Sequence, residues 1–597
     1  MGTPFQRGFA GSSTMGNVVP DAPLSINAIA AATATLFPAA SKTPNREIQT
    51  KRESVRLPQR NPCRQAALTS LPTPIKVSAL TFYLKGYDNK LANNLISGFT
   101  FGFKLHYRGD DNYKRSSQNL LSAYAHPEIV DSKLKKEREL GRIKGPFKQP
   151  PFPNFFVSPL GVIPKKTPGE YRMIHHLSFP YGLSVNDSIP REFCTVKYAT
   201  VDDAINIVKK LGKGCAMAKT DVRNAFRILP VHPSDFHLLG IQWKGKWYYD
   251  ACLPMGLASS CKHFESFSSA IEWIARNKLG IPHIIHILDD FLIVDKTLSD
   301  CGNRLHSFLG LCAEIGIPMA PEKTEGPAHV LTFAGIELDC VQHVARLPRD
   351  KIDKCLTSIT SFFSRRKVTL RDLQSLIGLL NFACSVITPG RVFLRRLINL
   401  TIGVKRPFHY IRLSQEVKKD LRIWHEFLLG FNCKSFFLED ARCTSPSIHF
   451  YTDAAKTVGY GIVFGTSWAF GEWPENWKLI DISVLELYPI VVGLIMWADK
   501  LTNQQVIFFS DNESVVHVIN KQTTKDKALL ALLRQLVLAC LRYNILFKAR
   551  HIAGSKNVLA DSLSRLQVEK FKRISQGMDL APTKIPVHLQ PQNWAIP

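Results

Sequence analysis

The chain has 597 residues, of which 45% are hydrophobic and 21% charged, so it is too long for one hydrophobic core and roughly three to four folded units are expected. Lys and Arg number 76 against 49 acids, a net charge of +27 that points to a polyanionic partner, nucleic acid before others. No apolar run reaches the roughly 18 residues that span a bilayer, and the 13 cysteines are scattered singly with no C-x-x-C pair, which argues against a zinc knuckle or a disulfide framework. The cysteine usage fits a reducing intracellular compartment. No basic stretch followed by an apolar core opens the sequence, so a secretory leader is not expected. Met1-Gly2 begins like a myristoylation signal, but Gln6 stands where Ser or Thr is required.

Residues 1–75 are rich in Ala, Ser, Thr and Pro and poor in acids, and read as a disordered tail. Residues 76–150 form an ordered extension. In it Leu91, Leu95 and Phe99 share a helical face, and Phe99, Phe101, Phe103, Leu105 and Tyr107 then alternate at strand period. Lys133 to Arg138 is a basic helix, suited to a phosphate backbone or simply to solvent, and Pro146 to Pro153 reads as a hinge. Short strands and helices alternate over 151–342. Residues 343–445 are helical, with helices over Lys351–Phe363 and Thr369–Cys384, the second opened by Thr369 and Asp372 in a capping-box arrangement. A new mixed unit occupies 446–567, and 568–597 is a second tail. There is no internal repeat.

Two groups of acids carry the chemistry. In His286-Ile287-Leu288-Asp289-Asp290-Phe291-Leu292 two carboxylates fall between two strand-like runs, where a tight hairpin would turn. A polar turn explains an isolated Asp-Asp equally well. Adjacent ionised acids repel, however, and a divalent cation with oxygen ligands offsets that cost. Asp221 closes another short strand, Ala218 to Asp221, and supplies a third acid; three carboxylates on neighbouring strand ends suit a two-metal site. The second group is Asp453 in a strand, Glu486 as the single acid of Val484 to Val492, Asp511 after the strand Val506–Ser510, and Asp561 one turn into a helix that Asn557 could cap. A buried, unpaired Glu486 would be costly, so it must face solvent or a cation. Pro489 is tolerable near a helix start, which places Glu486 close to that end.

In this order the segments resemble the reverse transcriptases, and within them the enzymes of DIRS-type, tyrosine-recombinase retrotransposons. The carriers are the Asp221 block, Leu253-Pro254-Met255-Gly256-Leu257, Ile287 to Phe291, and Pro321-Glu322-Lys323-Thr324 followed by Phe333 to Leu338. The last unit resembles ribonuclease H. The resemblance runs from about Tyr83 to Arg565. It implies a multidomain α+β architecture: a right-hand polymerase with fingers and palm over 151–342 and a helical thumb and connection over 343–445, then an α/β ribonuclease H-like domain.

The resemblance also implies roles. Asp221, Asp289 and Asp290 would bind two Mg²⁺, with Mn²⁺ as a substitute, and Asp453, Glu486, Asp511 and Asp561 would bind two more. Lys165 and Arg172 would meet the incoming triphosphate, where ordinary surface charge is the alternative. Phe226, five residues after Asp221, would gate against a 2′-hydroxyl, although on spacing alone it is a core Phe. Lys323 would lie near the departing pyrophosphate, and His551 near the product of RNA cleavage. Met255 and Gly256 would border the nucleotide. Two departures stand out: Met255 replaces the Gln of retroviral enzymes, and Ile287 replaces the usual Tyr before the acidic pair.

The implied activity is RNA-directed DNA polymerisation with degradation of RNA in RNA–DNA hybrids. The implied partners are an RNA template, a DNA primer, the hybrid, deoxynucleoside triphosphates and a recombinase from the same element. No Asp-Thr-Gly or Asp-Ser-Gly protease signature occurs, and no zinc-binding integrase pattern follows the last unit. The chain is expected to be the polymerase–ribonuclease product, or the part of a longer polyprotein that carries it, acting inside the cell. A catalytically inactive, element-derived nucleic-acid-binding protein is the competing reading, and a chain in which the ribonuclease alone works is a third.

Overall fold

The computed structural model describes residues 71–594, apart from 111–114, 166–168, 388, 431–433, 437–447, 503 and 544. The expected tail over 1–75 lies outside the described residues except for its last five. The fold is α+β and multidomain, and the chain divides into two interleaved compact units. The first comprises 1–198, 221–282 and 308–320; the second comprises 199–220, 283–307 and 321–597. Every described cysteine is a free thiol. No helix among the described residues is long and apolar enough to cross a membrane.

In the first unit a five-stranded sheet runs in the order Arg115–Ser116, Phe156–Val157, Gly240–Trp243, Lys246–Asp250, Ile143–Phe147. The long helix Ser260–Lys278 buries Phe264, Phe267, Ile271, Ile274 and Ala275, an apolar stripe at helical spacing. The helix Asn89–Phe101 is capped by Asp88, whose side chain accepts from Leu91 N–H at 2.9 Å, and Phe99 packs edge-on against Phe267. Leu95 and Phe99 are buried as expected, but Leu91 is exposed. The strand expected over Phe99–Tyr107 does not form: Phe101 ends the helix, and Phe103 makes only an isolated bridge to Val231. The alternation mimicked a strand, but tertiary contacts and not a ladder bury Phe99, Phe103 and Leu105, and Phe101 is exposed. The basic segment is the helix Pro127–Glu139. The proline-rich hinge is partly a strand, since Pro146 lies within Ile143–Phe147.

The second unit opens on a four-stranded sheet ordered Glu325–Ala328, Ala216–Asp221, Asp290–Asp295, Ile284–Ile287, in which Asp221 alone is counted with the first unit. A second sheet follows, Val330–Phe333, Ile336–Asp339, Val344–Arg346, Lys434–Phe436, and then the helices Arg349–Phe363, Leu370–Ala383, Gly390–Asn399 and Gln415–Gly430. Thr369 caps the second of these by accepting from Asp372 N–H at 3.1 Å, as its sequence predicts. The final sheet has five strands in the order Ser467–Glu472, Gly459–Phe464, Ile448–Ala455, Gln505–Ser510, Leu546–His551, with the middle strand parallel to Gln505–Ser510 and antiparallel to Gly459–Phe464.

One hydrophobic core runs through the second unit, from Met217 and Leu292 to Leu536 and Leu589. A buried ion pair is set into it. Asp420, with no exposed surface, accepts from Arg534 Nη1 at 3.1 Å and lies 3.4 Å from Arg396 Nη1, while the Arg534 guanidinium stacks on Phe393 at 4.7 Å. This ties the helix Gln415–Gly430 to the helix Lys527–Arg542. Residues 568–594, expected to be a tail, pack back on the last sheet: Trp468 Nε1 donates to the Asp579 carbonyl at 2.7 Å, and Tyr488 OH donates to that of Leu589. Replacing Asp420 with Ala strands Arg534 in a dry site, so the second unit should lose about 3–5 kcal/mol. Urea titration checks this, and a loss below about 1 kcal/mol would mean the pair is dispensable.

Candidate active sites

The final sheet builds an acid cluster from its strand order. Tyr451 and Phe509 face each other on neighbouring parallel strands, so Asp453 and Asp511, each two residues further on, reach the same level at the C-terminal ends. Glu486 comes from the helix Ile482–Met496, which is apolar on nearly every side and buried against the sheet. Carboxylate oxygens of Asp453, Glu486 and Asp511 all lie within 4.8 Å of one another. Asp453 and Glu486 are buried, and Asp511 is half-buried.

Crowding and burial raise the carboxyl pKa values. Glu486 is pushed up to about 9, chiefly by desolvation and then by the charges of Asp453 and Asp511. Asp453 is pushed up to about 6 by burial, partly countered by the Ser564 hydroxyl that donates to its Oδ2. Ala454 N–H donates to the Glu486 carboxylate, yet Glu486 Oε2 is buried with no hydrogen-bond partner. An all-oxygen donor set, one of its atoms orphaned and buried, fits a hard divalent cation at about 2.1 Å better than it fits bare protein. The residues can therefore hold a metal ion.

Asp561 sits in the helix Val558–Ser564 and belongs to the same neighbourhood, since its charge raises the Asp453 pKa, but Arg565 Nε holds its Oδ1 at 2.7 Å. It lies outside the trio that meets within 4.8 Å. Gly461 lets this helix close on the sheet: a Cβ there would stand 2.5 Å from the Ala560 carbonyl and 2.6 Å from Leu563 Cβ. Asn557 occupies the cap position but makes no side-chain cap. It donates instead to the Thr452 carbonyl at 2.8 Å, pinning the strand beside Asp453. Glu486 falls in the second turn of its helix, as expected, while Pro489 lies half-way along it rather than at its start. His551 is exposed, and its Nε2–H donates to the Asp511 carbonyl at 3.2 Å. Ser564 and Arg565 escaped the sequence reading. Their signal was present, three and four residues after Asp561, where helical side chains meet the same neighbours.

For the first group of acids, Ile284–Ile287 and Asp290–Asp295 form the expected hairpin, with Asp290 opposite Ile287 and a two-residue turn at Leu288–Asp289. Leu288 takes a left-handed φ of 55°, as such turns demand. Asp289 and Asp290 are half-buried, and Asp221 is buried at the end of its strand. That strand is the direct neighbour of Asp290–Asp295 in the sheet. Lys323 lies in a short 3₁₀ turn, Pro321–Lys323.

In the first unit Lys165 pairs with Glu170 at 2.8 Å on the surface, and Arg172 stands opposite Ile163 in a two-stranded sheet. Phe226 is buried edge-on against Phe264, in the manner of a core residue. Met255 is exposed. Gly256 is required by contact, because a Cβ would lie 2.1 Å from the His175 carbonyl. His175 is itself held in a buried network: its Nδ1 meets Asp250 at 2.9 Å, and Arg227 bridges Asp250 at 2.6 Å and Glu137 at 2.9 Å. Burial pulls the Asp250 carboxyl up, but Arg227 and His175 outweigh it and hold the pKa below the usual range.

No family model matches the sequence. The chain is 23% identical over 334 residues to a putative enzymatic polyprotein of Cassava vein mosaic virus, covering 54% of this chain and 47% of the relative. It is 27% identical over 177 residues to the Pro-Pol polyprotein of Feline foamy virus, covering 30% and 14%. The chain thus spans less than half the length of these curated relatives. Among solved structures it is similar to a foamy viral protease-reverse transcriptase in complex with double-stranded DNA, at a TM-score of 0.45 and 17% identity over 84% of each chain. A second likeness is to the foamy viral protease-reverse transcriptase in complex with an RNA/DNA hybrid, at 0.43 and 16%, covering 84% of this chain and 64% of that one.

The raised carboxyls give a signed pH effect. Free carboxyls ionise near pH 4, whereas in the fold Asp453 does so at about 6 and Glu486 at about 9. Their protons therefore add stability that is complete below about pH 4 and is lost as pH rises through 6 and then 9. Metal-free protein should melt progressively lower from pH 5 to 9, and Glu486→Gln should abolish the upper part of that fall. Mg²⁺ at pH 8 should raise the melting temperature of the wild type by roughly 2–4 °C and leave the Gln variant unmoved. Equal Mg²⁺ shifts in both proteins would rule the cluster out as the binding site.

Proposed function

We propose that the chain is a reverse transcriptase joined to a ribonuclease H, encoded by a retroelement of the DIRS type. The nuclease assignment is carried by one observation, the three carboxylates meeting within 4.8 Å around an orphaned Glu486 oxygen. The polymerase assignment is supported by the Leu288–Asp289 turn and by the sheet order that makes the strand of Asp221 the neighbour of Asp290–Asp295. Sequence similarity to viral Pol and enzymatic polyproteins supports both. The DIRS assignment rests on sequence motifs alone, the Asp221 block, Leu253 to Leu257, Ile287 to Phe291, and Pro321 to Thr324 followed by Phe333 to Leu338, and a recombinase partner follows only from it.

Divalent cations, two at each centre, would supply the acidity that makes a water or a primer 3′-hydroxyl nucleophilic and would neutralise the leaving group. The chain's own part is position and charge. At the nuclease centre Asp453, Glu486 and Asp511 would hold the cations, and Ser564 would fix the Asp453 carboxylate. Asp561 would complete the set once released from Arg565. His551, exposed beside Asp511, would act where the cut product leaves. At the polymerase centre Asp221 and Asp289 would hold cations, with Asp290 beside them. Lys165, on leaving Glu170, would join Arg172 in meeting the triphosphate, and Lys323 would face the pyrophosphate. Phe226, Met255 and Gly256 would border the deoxynucleotide. The substrates are then an RNA template on a DNA primer, deoxynucleoside triphosphates, and the hybrid made from them.

Primer extension on an oligo-dT-primed poly-rA template with Mg²⁺, run beside cleavage of a labelled hybrid, separates the parts. Asp289→Asn should lose extension by about 100-fold or more and keep cleavage, and Asp511→Asn should do the reverse. Undiminished extension by Asp289→Asn sinks the polymerase assignment. A wild type that binds hybrid but performs neither reaction establishes the inactive binding protein instead.

A further inference from the structure

The second unit also carries a two-stranded ribbon that contains none of the acids of either group, Lys367–Thr369 and Tyr410–Arg412. Their register sets Lys367 directly opposite Arg412 and Thr369 opposite Tyr410, while Val368 and Ile411 between them are buried. Like charges facing each other across an antiparallel pair weaken it, so this pairing is poor for the fold alone. The cations continue along both segments. Leu413 N–H donates to the Arg366 carbonyl at 3.0 Å, and Arg371 N–H donates to that of Pro407 at 3.0 Å, which places Arg366, Arg371 and Arg406 on the same edge. All are exposed. Among the described residues the one ion pair here is Arg365 with Asp372, at 3.5 Å.

Two aromatic rings stand among these cations. Phe408 is 64% exposed and Tyr410 is 72% exposed, on a short connection that has inward positions available for apolar groups at Val368 and Ile411. Large rings left in water forgo the gain of burial. Unpaired cations select a polyanion, and bare rings select one that offers flat faces. A lipid surface offers charge without flat faces, and duplex bases already stack on each other.

We propose that this ribbon binds single-stranded nucleic acid, with bases stacking on Phe408 and Tyr410 and phosphates held by Lys367, Arg412 and the flanking arginines. The binding needs neither metal nor either acid group, so it stands or falls apart from the catalytic assignments. It gives the chain a place for an unpaired strand in addition to the duplex that the polymerase reading requires.

The test uses the full chain in EDTA and a fluorescein-labelled oligouridylate of about 20 nucleotides, with a duplex of equal length alongside. Fluorescence anisotropy should show the Phe408→Ala/Tyr410→Ala variant binding the single strand about 10-fold more weakly. Its duplex affinity should change less than about 2-fold. The Lys367→Ala/Arg412→Ala variant should weaken binding and lower the salt slope by about 1–2. Phe408→Trp/Tyr410→Trp should bind at least as well as the wild type, a gain that misfolding cannot produce. Near-ultraviolet crosslinking of a 4-thiouridine-substituted strand should label the peptide holding Phe408 and Tyr410. Unchanged single-strand affinity in the double-Ala variant, equal losses on strand and duplex, or a crosslink confined to other peptides would each overturn the proposal. So would ribbon-dependent binding to phosphatidylserine vesicles in place of the oligonucleotide.

Discussion

Much of the second unit is arranged around carboxylates that repel one another. Asp453, near the end of one strand, and Asp511, just past the end of its parallel neighbour, stand at one level, and a buried helix adds Glu486 to the same space. None of these positions is a comfortable place for a negative charge. Thr452 is tethered by Asn557, Asp453 by Ser564, and the helix of Asp561 is drawn in by the missing side chain of Gly461. These contacts fix the carbons that bear the acids without neutralising the acids themselves. A site of this kind is rigid before any cation arrives, which lowers the reorganisation needed when one does.

The chain treats buried charge in two ways, and the contrast is informative. Asp250 and Asp420 are as deeply buried as Glu486, but each has arginine partners: Arg227 for the first, Arg534 and Arg396 for the second. Those acids are internally compensated and hold elements together. Asp250 steadies His175, whose carbonyl presses on Gly256, and Asp420 joins two helices far apart in sequence. Glu486 has no such partner, and burial beside Asp453 and Asp511 keeps its proton on instead. The difference separates acids compensated within the fold from one that is not.

The sequence was most readable where local rules decide the outcome. The Thr369 cap and the strand–helix order of the last unit follow from short-range pattern and lie where it puts them, and the expected hairpin forms with its turn at Leu288–Asp289, one residue ahead of the Asp289-Asp290 pair. Three of the four acids of the second group meet as their order suggested. Long-range choices were not readable. The phenylalanines from Phe99 to Tyr107 alternate like a strand, yet packing against the helix Ser260–Lys278 keeps a helix to Phe101. Asn557 is a fair cap by composition, but its Nδ2 donates to the Thr452 carbonyl, 105 residues away, and its Oδ1, the atom that would cap, accepts no hydrogen bond. Pro489 sits in mid-helix because the core around it compensates for a lost backbone bond, which no local rule foresees. The Arg227 and Arg534 networks join residues between 23 and 114 positions apart, beyond the reach of any pattern.

The packing of residues 568–594 extends the supporting framework past the final motif. Phe571 lies in one small core with Trp468, Val463, Ala560 and Leu563, and the last two flank Asp561 on its own helix. The orientation of that acid thus rests on a ring ten residues further along the chain, in a stretch whose composition suggests nothing of the kind. Shortening the chain just beyond Arg565 would keep every acid of the two groups while removing the wedge behind one of them. A fragment designed from motif boundaries alone would then be complete in its chemistry and loose in its geometry.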